Sequence, residues 1–324
     1  MKASLSCFVL AFHSRISLRL GRKQNLQRLT LFFKLKIIPL CSFPLFARSF
    51  TRGAITAAVG RRFKMTSNTG SCHRTRYGVL VCDNSEKWGG VAGIGKRYID
   101  AFGSSSADLE EWHVFAACEG ELPSEKDLET FNGFFISGSP RSANDNIKWI
   151  NDLKTFISSS ALNSSKARVV GVCFGHQLIG AALGGKVTAN PSQKFVLQRE
   201  VVKTDKDFQG NEAIKKIIGN SDEPLRLLEC HGECVSALPP GAQSLAKSAT
   251  CQHELIQFTE NIFGIQAHPE FTVQDYKELL IPDLFNAGKI DENSKRLCEE
   301  SIEQPLDSSK MADALKKFVS KEDN

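Results

Sequence analysis

The chain has 324 residues, 41% hydrophobic and 24% charged, enough for one sizeable core. Its net charge of +5 misleads: residues 1–82 hold 15 Lys and Arg and no acid, leaving 26 bases against 36 acids, a net of −10, for the remainder. So acidic a body argues against a nucleic-acid footprint on the folded part; ten irregularly spaced cysteines argue against a disulfide scaffold and for reduced thiols.

Residues 1–64 are Arg-rich, Ser-containing and acid-free, the composition of an organelle transit peptide. The apolar run Cys7–Phe12 is short for a secretory signal, and His13 and Arg15 follow it. Lys34, Lys36, Pro39 and Pro44 interrupt the longest apolar stretch, so no membrane span is expected. The other reading of this extension starts translation at Met65. The expected location is the cytoplasm, or a plastid or mitochondrion if residues 1–64 act as a transit peptide.

From residue 77 short apolar runs alternate with amphipathic stretches. The runs 77–82, 112–118, 133–137 and 168–173 read as buried strands of a mostly parallel sheet. Between the last two, Ile150, Leu153 and Phe156/Ile157 recur at helical spacing and supply a crossover helix. The segment "HQLIGAALGG" (176–185) reads as a second helix, closed by a Gly pair. Residues 194–267 turn strand-rich, with runs at 194–204, 225–230, 253–259 and 262–267. After Glu270 the pattern is helical, with a terminal helix from Ser309. The organisation expected is one α/β domain over 75–285, with a mostly parallel central sheet flanked by helices and a smaller antiparallel region. A helical tail, 286–324, follows it.

Three motifs are set aside. Gly90…Gly95-Lys96 and Gly180…Gly185-Lys186 approximate a phosphate-binding loop, but Arg97 and Val187 stand where the Mg²⁺-holding Ser/Thr belongs. Cys230, His231, Cys234, Cys251 and His253 form only a loose ligand cluster, off the paired spacing of structural zinc. No metal or cofactor is expected.

The stretch "Gly171-Val172-Cys173-Phe174-Gly175" ends an apolar β-branched run and opens a helix. A nucleophile shown on a sharp strand-to-helix turn needs small neighbours on both sides. The helix N-terminus behind Cys173 favours the thiolate. A thiol nucleophile needs a base, and the base an orienter. His13 lies in the extension, His73 precedes the first strand, His113 lies in an early strand, and His176 is too close to reach around. His268 ends an apolar strand before Pro269, and in extended backbone Glu270 projects to the same side.

Together these residues resemble the class I glutamine amidotransferases, whose signatures G-x-C-x-G-H-Q and H-P-E stand intact at Cys173 and His268. The turn "Ser137-Gly138-Ser139-Pro140" departs from the family's S-G-G-P at Ser139, and "ECHGECVSALPPGA" carries Cys230 and Glu233 in place of Ser and Asp. The resemblance implies a flavodoxin-like α/β fold and a Cys173–His268–Glu270 triad. It implies an oxyanion hole from the backbone N–H groups of Ser139 and Phe174, and substrate contacts from Gln177, Gly232 and Glu233. The implied reaction is hydrolysis of γ-glutamyl bonds through a γ-glutamyl thioester. A body without an acceptor domain is most similar to stand-alone γ-glutamyl peptidases acting on glutathione conjugates or similar compounds. The partner is then a small-molecule γ-glutamyl substrate, with no nucleic acid and no membrane. The alternatives are a glutaminase subunit feeding ammonia to a separate synthase chain, and a non-catalytic γ-glutamyl-binding protein.

Overall fold

A computed structural model of the chain describes residues 74–104, 109–205 and 223–321. The extension 1–64 lies outside them. The first half alternates strand and helix in chain order. β1 (Thr75–Leu80) leads to α1 (Gly90–Phe102) and β2 (Glu110–Phe115), then α2 (Glu125–Thr130) and β3 (Gly133–Ile136). α3 (Lys148–Ser158) and α4 (Ser160–Ser164) cross over to β4 (Arg168–Val172), which runs into α5 (Phe174–Ala182). The second half is mostly strand: β5 (Lys186–Ala189), β6 (Val196–Thr204), β7 (Leu225–His231), β8 (Glu233–Ala237), β9 (Gln243–Lys247), β10 (Leu255–Gln257) and β11 (Ile262–Ile265). Beyond it, α6 (Val273–Asp275) passes through a π-helical segment, Tyr276–Leu280, into α7 (Ile281–Asn286). α8 (Glu292–Ile302) and α9 (Ser308–Ser320) follow.

Nine strands form one sheet in the order β2-β1-β3-β4-β11-β10-β9-β6-β7, and β5 and β8 form a separate antiparallel pair. β2, β1, β3, β4 and β11 are mutually parallel. From β11 onward every pairing is antiparallel. The sheet is therefore mixed, with a parallel core as the sequence implies. The switch falls where helical crossovers give way to short connections such as the one between β10 and β11. β3 and β4 are buried along their whole length, which a parallel strand covered on both faces requires.

The two-residue period of a strand sorts this core onto two faces. Val79, Val81, Phe135, Val170 and Val172 join α1 and the C-terminal helices, while Leu80, Cys82, Phe134, Ile136 and Val169 join α3 and α5. α3 buries Ile150, Leu153 and Ile157. The phosphate-loop-like Gly90…Lys96 lies in α1, which packs Tyr98 and Phe102 against Phe135, with ring centroids 6.3 and 4.3 Å apart. The residues read from the sequence as a tail complete the first of these cores. α9 buries Met311, Leu315, Phe318 and Val319, the Phe318 carbonyl accepts from Arg168 Nη1 at 2.8 Å, and Ser320 Oγ bonds Tyr77 Oη at 2.9 Å. Among the described residues no helix is long and apolar enough to cross a membrane.

β7 is last in the sheet order, yet its Leu228 carbonyl accepts the N–H of His268, just past β11, at 2.9 Å. The antiparallel half thus curls back over the carboxyl ends of the parallel strands.

Candidate active site

Cys173 joins β4 to α5 at φ 50°, ψ −103°, a backbone conformation that L-residues avoid. Such a conformation costs on the order of 1–3 kcal/mol and persists only where the surroundings impose it. Here the Cys173 N–H donates to Ile265 O at 2.8 Å and the Cys173 carbonyl accepts from Gln177 N at 3.0 Å, tying the turn to β11 and to its own helix. The flanking glycines have a steric reason. A Cβ on Gly175 would stand 2.3 Å from Ile136 O, and one on Gly171 would stand 2.6 Å from the Gly175 carbonyl group.

The Cys173 thiol, 6% exposed, faces a cavity of about 390 Å³ whose lining includes Ser139, Gln177, Gly232, Glu233, His268 and Glu270. This volume is in the range of small-molecule sites. Phe174 is not in the lining. Its N–H is the first of α5, directly after Cys173, and its ring is buried near Trp149.

His268 enters from the end of β11 and stacks on Phe271 at 4.4 Å, with Nδ1–H donating to Glu270 Oε1 at 2.8 Å. Its Nε2 is buried without a hydrogen-bond partner. Burial alone would disfavour the imidazolium, but the charges of Cys173 and then Glu270 outweigh it and hold His268 well above the ordinary histidine range. A hypothetical Cβ on Gly138 would stand 3.1 Å from His268 Cε1 and 3.9 Å from Cys173 Cβ, so the 137–140 turn meets both residues. His176 lies elsewhere, fully buried beside Phe258, and its burial lowers its pKa to about 3.

That turn is held by side chains. Ser137 Oγ accepts from Cys82 N at 2.8 Å and donates to Gly138 O at 2.9 Å, and Ser139 Oγ accepts from Arg141 N at 3.2 Å. Ser139 is not among the residues with positive φ, so a Cβ is carried there without backbone strain.

The opposite wall comes from the β7–β8 connection. Gln177 Nε2 donates to Glu233 O at 2.7 Å and to Gln266 Oε1 at 3.1 Å. Both amide hydrogens are thereby committed, and Oε1 is left to meet a ligand. The Glu233 carboxylate accepts from Ser142 Oγ at 2.7 Å, and the Gly232 carbonyl accepts from Asn190 N at 3.0 Å.

Two residues that the sequence did not single out belong to this centre. Gln266 Nε2 donates to Cys173 Sγ at 3.5 Å, opposite the Cys230 carbonyl that accepts from the thiol at 3.6 Å. Tyr98 donates its hydroxyl to Glu270 Oε1 and accepts from Gly138 N, both at 3.3 Å. Burial, then the charge of Glu270, keeps this phenol well above its ordinary pKa and so protonated. Gln266 sits two residues before His268, on the same side of extended backbone, a signal available in the sequence. Tyr98 depends on α1, whose glycines hide its helical period.

The loose cysteine–histidine cluster does not assemble. Cys234 and Cys251, both free thiols, hydrogen-bond to each other, His253 Nδ1 bonds Ser244 Oγ at 2.8 Å, and His231 turns toward Glu229.

Comparison with known proteins agrees with this fold. Residues 102–287 match the family model of the class-I glutamine amidotransferases. Among curated proteins the chain is similar to gamma-glutamyl peptidase 3 of Arabidopsis thaliana, 32% identical over 62% of this chain and 77% of that one. It is likewise similar to gamma-glutamyl peptidase 4 of the same plant, 33% identical over 60% and 75%. Among solved structures, a glutamine amidotransferase of Thermotoga maritima aligns with TM-score 0.57 at 18% identity, over 76% of this chain and 99% of its own, a likeness of fold.

Proposed function

Because the chain belongs to the class I glutamine amidotransferase family, as a hydrolase related to the γ-glutamyl peptidases, we propose that it cleaves γ-glutamyl amide or isopeptide bonds with Cys173 as nucleophile. The observation that carries this reading is the strained Cys173 turn facing, across one cavity, a His268 whose Nδ1–H is held by Glu270. The Cys173 thiolate attacks the γ-carbonyl carbon, and the oxyanion is met by the N–H groups of Ser139 and Phe174. Each such donor is worth about 3–4 kcal/mol. The imidazolium of His268 gives its proton to the departing amine, leaving a γ-glutamyl thioester. His268 then takes a proton from water, hydroxide adds to the thioester, and glutamate leaves as the thiolate re-forms. Gln177, Gly232 and Glu233 hold the glutamyl α-amino and α-carboxylate groups, with Gln177 Oε1 and the Glu233 carboxylate directed to the ammonium.

The cavity favours a bulky leaving group over ammonia. Trp88, Phe195, Phe271, Leu280 and Leu284 line it opposite the polar wall, more apolar surface than the glutamine side chain needs. This supports a peptidase of glutathione conjugates or related γ-glutamyl compounds. The test is turnover of glutamine and of glutathione S-conjugates by purified wild type and Cys173→Ser, without added partner. Wild type is expected to release the amine product of the conjugate unaided, with the serine variant slower by about 10³-fold or more. Hydrolysis of glutamine alone, and only after a synthase chain is added, would establish the ammonia-supplying subunit instead. A wild type inert with and without a partner would establish a binding protein.

A further inference from the structure

Behind the polar wall, three glutamates turn into the interior. Glu200 of β6 is 4% exposed, and Glu229 of β7 and Glu254, just before β10, are 0% exposed. Gln198 pairs with Glu229 across β6 and β7, so Glu200, two residues on, shares that face. Glu200 Oε1 accepts from Gln198 Nε2 at 2.8 Å. Its Oε2, and both oxygens of Glu229 and Glu254, are buried with no donor at full hydrogen-bond geometry, although Ser248 lies close to Glu254 and the Glu229 and Glu254 carboxyls lie close to each other. Among the described residues no lysine or arginine pairs with any of the three.

His231, two residues after Glu229, points into the same space. Its Nδ1–H donates to Glu233 O at 3.0 Å, which fixes the tautomer and leaves the Nε2 lone pair unpartnered, 3.6 Å from Glu229 Oε2. Burial, then the charge of His268, lowers this imidazole to about 4, so it is neutral at physiological pH. A neutral ring anchored through one nitrogen by a carbonyl, with the other bare, is the form in which histidine binds metals. Glu229, His231 and Glu254 each offer a ligand atom within 4.8 Å of the others.

Carboxylates buried this way must be neutralised. Protons do so in part: burial and the neighbouring carboxylates push Glu229 well above the carboxylate range and Glu254 up to about 8. A proton shared between these two still leaves His231 Nε2 without a partner. A cation satisfies the carboxylates and the imidazole together. We propose that Glu229, His231 and Glu254 form a buried divalent-cation site. One imidazole and a set of carboxylates suit Zn²⁺ among the first-row ions. Ligand bonds of about 2.0–2.2 Å require the side chains to close by roughly 1 Å. This departs from the sequence-based expectation of no metal, and it uses histidine with glutamates rather than with the cysteines.

The ion's role is structural, since of the three ligands only His231 reaches the cavity lining and both glutamates lie outside it. The Glu233 carbonyl that holds His231 also holds Gln177, which holds Gln266, which reaches Cys173 Sγ. An ion here braces the wall on which the nucleophile rests.

The test uses the full chain purified from zinc-supplemented and zinc-depleted cultures, with metal content, thermal midpoint and Co²⁺ spectrum as readouts. One Zn²⁺ per chain is expected after exhaustive dialysis, with a higher midpoint than the depleted preparation. Glu254→Gln, Glu229→Gln and His231→Gln are each expected to weaken retention at least ten-fold, and Cys234→Ser and Cys251→Ser to leave it unchanged. The Co²⁺ form of wild type is expected to lack sulfur-to-metal charge-transfer absorption, a readout needing no variant to fold. A folded wild type without stoichiometric metal would overturn the proposal and leave a proton-sharing cluster. Sulfur charge transfer, or full retention in Glu254→Gln, would overturn it equally. None of these readouts depends on whether the chain cleaves γ-glutamyl bonds.

Discussion

The parallel and antiparallel halves of the one sheet reach the cavity by opposite means. The parallel half concentrates its difficulty in the backbone, at Cys173 with φ 50° and at Gly171 and Gly175, where no Cβ fits. The antiparallel half concentrates its difficulty in side chains, burying Glu200, Glu229, His231 and Glu254. Backbone strain fixes the position of one reacting atom and is insensitive to pH. Buried ionisable groups fix a wall through hydrogen bonds and respond to protons and ions. A nucleophile that must sit at one point suits the first means, and a wall that must hold several donors suits the second.

The strongest way to break this comparison is to remove the apolar support of the parallel half. Truncation after Asp307 removes Met311, Leu315, Phe318 and Val319, each at most 2% exposed in the intact chain, and bares the apolar surface they cover. At about 2 kcal/mol per side chain, near 8 kcal/mol in all, the loss is comparable with a domain's whole stability of about 5–15 kcal/mol. The truncated chain is expected to be insoluble or to lack a cooperative unfolding transition.

Glu270→Gln tests whether electrostatics, rather than strain, governs the residues facing Cys173. The expected loss in kcat is about 10³-fold with the fold retained, because the amide no longer holds the imidazolium. There is also a pH signature. The folded-state pKa of His268 is raised, so its stabilising contribution is complete below the unfolded value, about 6.5, and is lost as pH rises through the folded value. In urea unfolding, wild type should lose stability over that rise more steeply than Glu270→Gln; equal slopes would contradict the assignment.

Gly175→Ala sharpens the other side. With its Cβ 2.3 Å from a backbone oxygen, the variant should lose about 3 kcal/mol, with no change of slope against pH. The smallest effect is expected from Tyr98→Phe, which removes the hydroxyl joining Glu270 to Gly138. It should cost about 1 kcal/mol in stability and about 5–10-fold in kcat, with KM nearly unchanged.

The same contrast explains what could be read in advance. β3 and β4 announce themselves as unbroken apolar runs, and the Gly-x-Cys-x-Gly turn carries its steric reason in its own letters. α1 was hidden: Gly90, Gly93 and Gly95 lower its helix propensity and imitate a phosphate loop, although Ile94, Tyr98 and Phe102 recur every fourth residue. With α1 went Tyr98. α9 was legible as an amphipathic helix but not as part of the core, since its period says which face is apolar and not what covers it. The meeting of Glu229 with Glu254 was out of reach, because it depends on the antiparallel half folding back over the sheet.

Ser139 leaves one consequence to draw. Since the peptide joining Gly138 to Ser139 is oriented by Ser137, whose Oγ donates to the Gly138 carbonyl, rather than by glycine's torsional freedom, its N–H does not depend on a bare α-carbon. A side chain is already tolerated in the cavity lining, where the proposed oxyanion contact is made. Position 139 is therefore a natural handle for protein engineering: exchanging its side chain reshapes the lining, and hence the range of compounds admitted, while the donor beneath stays in place.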